Sequence, residues 1–400
     1  MKLLLLTLYY PPEIGAPQAR LSELATGLKA RGFEVQVLTA LPSYPKGKIF
    51  PDYRGLWKKE TISDIPVFRT WVFPTQKTAM LPRLANYFSF VLSSLFFGIW
   101  GFKKVDFILT ESPPLFLGIT GYLLSRLKRA KWIFNISDLW PESAVRLGAV
   151  KPGWALTLSE KLEAFIYRKA WLVTGQTKTT INCINARFPE VKLFHLSNGV
   201  DTVRFNPKNF RPEIRKSFSP HGDLIFFYGG LHGLAQGLSQ ILYCAKGAPE
   251  GIRFVFIGDG PEKSLLIKLA QELELTNIEF HDAVASEKMP EILASVDVCL
   301  IPLKTTLPGA VPSKLYEAMA SAKPVILIAD GEPAEIVTSA KVGLAVSPGD
   351  GQALMNAIKQ LSADEKLRTQ FGENGRRTAI KLYNRANITE AFAKYIINKA

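Results

Sequence analysis

Leu3–Leu8, Glu34–Thr39, Val105–Thr110, Lys131–Ile136 and Leu172–Thr174 are short, largely apolar runs, and helical stretches separate several of them. A strand that is apolar on both faces must be covered on both, and helical crossovers between parallel strands do this. The first half of the chain therefore reads as a doubly wound α/β unit. Its first helix is expected over Pro17–Ala30, where Leu21, Leu24, Ala25 and Leu28 recur at helical spacing ahead of Gly32.

After Ser197-Asn198-Gly199 the composition turns polar and Pro-rich as far as Asp223, and then the pattern restarts. Strands are expected at Leu224–Tyr228, Arg253–Ile257, Val298–Ile301 and Val325–Ile328. Helices are expected near Gly237–Lys246, Glu262–Glu274 and Pro312–Ala322. Ser362 and Glu365 read as a capping box, with helix continuing towards Ala400. Four hundred residues suit two domains. The expected boundaries are 1–198 with a C-terminal helix over about 384–400, a linker at 199–222, and a second domain at 223–383. The picture is two Rossmann-like domains facing each other across a cleft, with ligands at the carboxyl ends of the strands.

Three widely spaced cysteines, Cys183, Cys244 and Cys299, exclude a disulfide scaffold and a four-cysteine zinc site. There is no Walker loop, G-x-S-x-G elbow, H-E-x-x-H helix or D-x-D pair, so no metal site is expected. Charge is lopsided: residues 1–200 carry 26 of the 49 Lys and Arg but only 13 of the 35 Asp and Glu. A basic half attracts phosphates, anionic membranes or nucleic acid. The scattered charges and the lack of any RNA-binding or zinc-finger signature favour the first two.

Two apolar stretches bear on membranes. MKLLLLTLYYPP is short, lacks a cleavage site and is cut by Pro11-Pro12, so it reads as a first strand. Residues 84–102 hold 19 positions without a charge between Arg83 and Lys103-Lys104. A crossover helix buried against the sheet is the plain reading. The alternative is a helix whose aromatic face dips into one leaflet. A full span is disfavoured, because it would pull the following strand out of the domain.

The chemistry is concentrated in glycine turns and one helix start. Gly15 lies between the first strand and helix, where backbone amides can approach a phosphate, and Arg20 lies one turn further on. The second domain opens with Gly229-Gly230-Leu231-His232-Gly233, and Gly258-Asp259-Gly260 follows its next strand. In GAVPSKLYEAMASAKPVI, Pro312 suits a first helical position, and amides near Ser313 and Lys314 would face an anion. Glu317 follows one turn later on the face of Ser313. Such a start can hold a diphosphate and a ribose diol together. In FNISDLWPES, Asp138 and Glu142 fall just past a strand end, where Asp138 either orients an acceptor hydroxyl or caps the next helix.

Together these segments resemble glycosyltransferase family 4, retaining enzymes of the GT-B fold. YPPEIGAPQARLSELATGLKARGFEVQVLT, SNGVDTVRFNP, IGDGPEKSLL, VDVCLIP and PSKLYEAMASAKPVI carry the resemblance over nearly the whole chain. DLWPES and PSKLYEAMA are similar to the bacterial branch that builds O-antigen and capsule, fucosamine transferases included. The resemblance implies a nucleotide-sugar donor, a UDP-sugar before others, and no cofactor or metal. It implies a polyprenyl-diphosphate-linked saccharide as acceptor and a cytoplasmic enzyme, peripheral on the inner face of the cell membrane. It places Gly15, Gly230, His232, Gly258, Val284, Ser313, Lys314 and Glu317 at the donor, Arg20 at the acceptor, and Asp138 and Glu142 in catalysis.

Three departures stand out. The family's paired-glutamate motif has its first member replaced by Gly309. The Arg and Lys of its phosphate site align with Leu231 and Gln236. The histidine common near Asp138 is Ser137. Two rivals follow: a nucleotide-sugar 2-epimerase of the same overall fold, and a non-catalytic nucleotide-sugar or lipid-binding protein.

Overall fold

The structure is a computed structural model that describes residues 1–77, 80–146, 153–305 and 308–399, and every count below is of those residues. The chain forms two compact units, 1–198 with 386–400 and 199–385.

The first unit holds eight strands: β1 (Lys2–Leu6), β2 (Glu34–Ala40), β3 (Trp57–Ile62), β4 (Ile65–Thr70), β5 (Phe107–Ser112), β6 (Lys131–Ile136), β7 (Leu172–Gly175) and β8 (Leu193–His195). They lie in the order β3-β4-β2-β1-β5-β6-β7-β8, all parallel except the β3–β4 hairpin. Its helices are α1 (Ala16–Lys29), α2 (Met80–Gly101), α3 (Leu117–Lys128), α4 (Glu142–Arg146), α5 (Trp154–Lys169) and α6 (Lys178–Arg187). Alternation along β1 shows why both faces are covered. Leu3 and Leu5 enter a core with α1 and the C-terminal helix residues Phe392 and Ile396. Leu4 and Leu6 enter the core beneath α2, α3, α5 and α6. MKLLLL is thus a buried central strand.

α2 answers the question left open for 84–102. It is a crossover helix, but only one of its faces is covered. Phe90, Val91, Ser94 and Gly98 are buried, while Leu92, Phe96 and Trp100 are exposed. The helix is thus buried against the sheet on one face and apolar on its outer face.

The second unit is a six-stranded parallel sheet of β9 (Leu224–Gly229), β10 (Ile252–Ile257), β11 (Ile278–His281), β12 (Val298–Pro302), β13 (Val325–Ile328) and β14 (Gly343–Val346), in the order β11-β10-β9-β12-β13-β14. Its helices are α7 (Pro212–Phe218), α8 (Ser239–Ala245), α9 (Lys263–Glu272), α10 (Met289–Ser295), α11 (Ser313–Ala320), α12 (Glu332–Ser339), α13 (Gly351–Ala363) and α14 (Glu365–Leu382); α15 (Arg385–Lys399) leads back to the first unit. Two expectations are corrected here. Residues 199–222 are not a free linker, because Val200, Phe205 and Phe218 lie in this unit's core. α14 is capped by Asp364, which accepts from the Leu367 amide at 2.8 Å, whereas the Ser362 hydroxyl donates to the Lys359 carbonyl.

In each sheet the strand order reverses beside the first strand, β1 or β9. The crevice at such a reversal is where open α/β sheets bind ligands.

Candidate functional site

In the second unit the site is assembled from the loops after β9 and β10 and the start of α11. Gly258 and Gly260 let the two loops touch. A Cβ at Gly258 would sit 1.8 Å from the Gly230 carbonyl oxygen, and one at Gly260 2.4 Å from the His232 oxygen. Backbone bonds lace the loops together. Gly230 donates to Ile257 and His232 to Asp259, both at 2.8 Å, and Gly258 donates to His281 at 3.2 Å. Gly230, His232 and Gly258 therefore spend their own amides on bonds between the loops. What Gly230 provides is room. A Cβ there would lie 2.4 Å from Lys314 Cε and 2.7 Å from its Nζ, so the lysine passes directly over the glycine.

α11 follows β12, on the other side of the reversal. Pro312 sets its entry, and the first helical amides, Ser313 and Lys314, have no acceptor within the helix. Glu317 is half-buried one turn in. Burial raises its carboxyl above the usual range, against the pull of Lys314, Arg385 and Arg204 and a hydrogen bond from Ser313. Ser313, Lys314 and Glu317 are thus brought together as the sequence pattern implied. Gly309 adopts φ 79°, a conformation that disfavours any residue with a side chain. Leu231 is 55 % exposed, and Gln236 presents a buried Oε1 without a partner. Val284 lies at the surface just beyond β11.

His232 is fully buried in a box with Tyr228, Phe256 and Phe280, and neither ring nitrogen has a partner. Burial lowers its pKa, helped by Lys263 and opposed by Asp259. A histidine depressed in the folded state contributes stability that is lost as pH falls below its unfolded value of 6.5, because the unfolded chain then binds the proton more readily. The melting temperature is expected to fall as pH drops from about 7 to about 5, and to fall less in His232→Leu. Equal losses in both proteins would mean that the imidazole is not held neutral.

In the first unit Gly15 precedes α1, and Gln18 fills the space beside it. A Cβ at Gly15 would meet Gln18 Oε1 at 2.5 Å, and that buried oxygen has no partner. Glu13 fastens the same loop by accepting from the Ser43 and Tyr44 amides, each at 2.8 Å. Arg20 is not an open cation for an acceptor. It is buried, donating to Glu111 Oε1 at 2.5 Å and Ser137 Oγ at 2.9 Å. Asn135 donates to the other Glu111 oxygen at 2.5 Å. Gln176 turns its carbonyl oxygen to Arg20 at 2.9 Å and donates to Asn198 at 3.0 Å. Ser137 also donates to Glu111. Glu111 and Gln18 drew no notice in the sequence, since each is recognisable only from partners brought to it by folding.

Asp138 follows this cluster directly. Its side chain reaches solvent, yet surrounding protein raises its pKa, with Glu111 adding to the effect and Arg20 opposing it. A carboxyl so placed can orient a hydroxyl. Glu142 is placed elsewhere. It lines a separate recess of about 410 Å³ with Glu160, Glu163 and Arg187, and its charge acts on Glu163, Tyr167 and Arg187. Asp138 does not line that recess.

Residues 15–196 match the profile of the glycosyl transferase 4-like domain, and 209–378 that of glycosyl transferases group 1. WcaI of Escherichia coli strain K12, assigned as a colanic acid biosynthesis glycosyl transferase, is 26 % identical over 399 residues, spanning 95 % of this chain and 97 % of its own. Among solved structures, sucrose-phosphate synthase of Thermosynechococcus elongatus superposes with a TM-score of 0.78 at 18 % identity, over 99 % of this chain and 98 % of that one. HepE of Anabaena, solved in complex with UDP, gives 0.73 at 17 % identity over the whole of both chains.

Proposed function

The chain belongs to glycosyltransferase family 4, of the GT-B fold, and on that premise we propose that it is a retaining transferase moving a sugar from a UDP-sugar to a polyprenyl-diphosphate-linked saccharide in surface-polysaccharide assembly. The observation that carries this reading is the start of α11. Lys314 over Gly230, the first helical amides and Glu317 one turn on are the groups a nucleoside diphosphate requires. The fold shared with HepE, a protein solved with UDP, supports the choice of nucleotide.

As the sugar leaves, negative charge gathers on the diphosphate. Lys314 and the helix amides are already oriented to receive it, and such charge-assisted bonds are worth roughly 1.5–3 kcal/mol each. With the family's Arg and Lys replaced by Leu231 and Gln236, Lys314 carries a larger share. Glu317 binds the ribose hydroxyls. The acceptor oxygen bonds the anomeric carbon on the face from which phosphate departs, and the hydroxyl proton passes to the departing phosphate oxygen. Asp138 orients that hydroxyl and need not act as a strong base.

Glu317→Ala is expected to weaken UDP binding by about 1.5–3 kcal/mol, roughly 10–150-fold, without unfolding the chain. Titration calorimetry beside an assay of acceptor-dependent UDP release checks this. Unchanged affinity would remove Glu317 from the site, and binding without release across a panel of short-chain lipid diphosphates would favour a non-catalytic binder.

A further inference from the structure

We propose that the outer face of α2, α3 and α5 is a docking surface for an anionic lipid bilayer, with the helices lying in the plane of the interface. The surface stands whether or not the transfer reaction does.

α2 packs on α3, and α3 on α5, in one layer over the first sheet. Each connects parallel strands of that sheet, so all three run in the same direction and their C-terminal ends lie on the same side. Leu92, Phe96 and Trp100 of α2, Leu127 of α3, and Trp154 and Leu158 of α5 are each at least 60 % exposed. Single exposed apolar side chains are ordinary, but a stripe along α2 with further exposed apolar residues on the two helices of the same layer marks an interaction surface. The spacing 92, 96, 100 keeps the α2 residues on one stripe.

Charge selects the occupant. Neither α2 nor α3 contains an Asp or Glu, and Lys103, Lys104, Arg126, Arg129 and Lys169 gather at the shared C-terminal ends, all exposed. A second copy of this chain would bring the same cations against them, whereas an anionic headgroup layer neutralises them while its acyl region receives the tryptophans and leucines. α2 is long and apolar enough to cross a membrane, yet its inner face is committed. Phe90 and Val91 are buried, and a Cβ at Gly98 would stand 2.7 Å from Leu124 Cδ1. Crossing would strip this core from the sheet, so the helix docks along its length.

The test is co-sedimentation of the full chain with phosphatidylcholine vesicles, with and without phosphatidylglycerol. Wild type is expected to bind the phosphatidylglycerol vesicles and to be released by salt. The triple change Leu92→Ser, Phe96→Ser, Trp100→Ser should lower partitioning about ten-fold or more at unchanged melting temperature. Lys103→Glu with Lys104→Glu should do the same on the anionic vesicles. Absence of wild-type binding, or binding that neither variant alters, overturns the proposal. So does a wild-type dimer in light scattering that the triple change converts to monomer, since the face would then be a self-association surface. UDP titration of the same variants should match wild type, which keeps a failure here distinct from a failure of the transfer reading.

Discussion

Glu111→Ala will destabilise the first unit by about 3–5 kcal/mol, the cost of leaving one member of a buried ion pair alone. Arg20 and Glu111 keep 7 % and 4 % of their side chains exposed, so water cannot take over the guanidinium once the carboxylate is gone. The same change strips Asn135 and Ser137 of an acceptor. At roughly 2–4 °C per kcal/mol for a unit of this size, the melting temperature should fall by about 6–20 °C. Arg20→Met combined with Glu111→Leu should recover much of the loss, because an apolar pair of similar volume carries no desolvated charge. The recovered protein should still be slow, since Ser137, which precedes Asp138, is held by this pair. A single Glu111→Ala protein within about 1 kcal/mol of wild type would show that Arg20 finds another buried partner. Full activity in the double variant would remove the cluster from acceptor positioning.

The cluster also shows where sequence reading stops. Leu3, Ile108, Ile133, Phe226 and Phe254 announce central strands because a strand buried on both faces has to be apolar throughout. Ser313, Lys314 and Glu317 are legible for a related reason, since one helical turn brings them together whatever surrounds it. Glu111 meets Arg20 across 91 residues, and nothing in ESPP marks the carboxylate as buried. The β3–β4 hairpin carries no clear signal because its edge strand, WKKETI, is mostly polar, and because its turn uses Ser63 and Asp64, both at positive φ, in place of the expected glycine. β8, β11 and β14 are only three or four residues long and end in half-exposed positions or edges, too little for an apolar signal. The glycine turns are legible as turns, but the use of their amides is not. A sequence shows that Gly230 and Gly258 are small, not that their amides are used on Ile257 and His281.

Gly258→Ala turns that distinction into the second large effect. The added methyl would be placed 1.8 Å from the Gly230 oxygen and 2.9 Å from its carbonyl carbon. Both are backbone atoms, so no rotamer change relieves the contact and one loop must move. The Gly230–Ile257 and His232–Asp259 bonds hold the loops at this distance, and separating the loops breaks them. Overpacking of about 1–3 kcal/mol and two lost hydrogen bonds of about 1 kcal/mol each give a loss of roughly 3–5 kcal/mol. Nucleotide binding should fail with it, although Gly258 lends no amide to a ligand, because the bed on which Lys314 lies is displaced. Gly351→Ala is the control: its Cβ would meet nothing within 4 Å, and melting temperature and UDP affinity should stay at wild type. Were Gly258→Ala to melt and bind as wild type does, the two loops could not be in contact, and Gly230 would have its amide free for the phosphate after all.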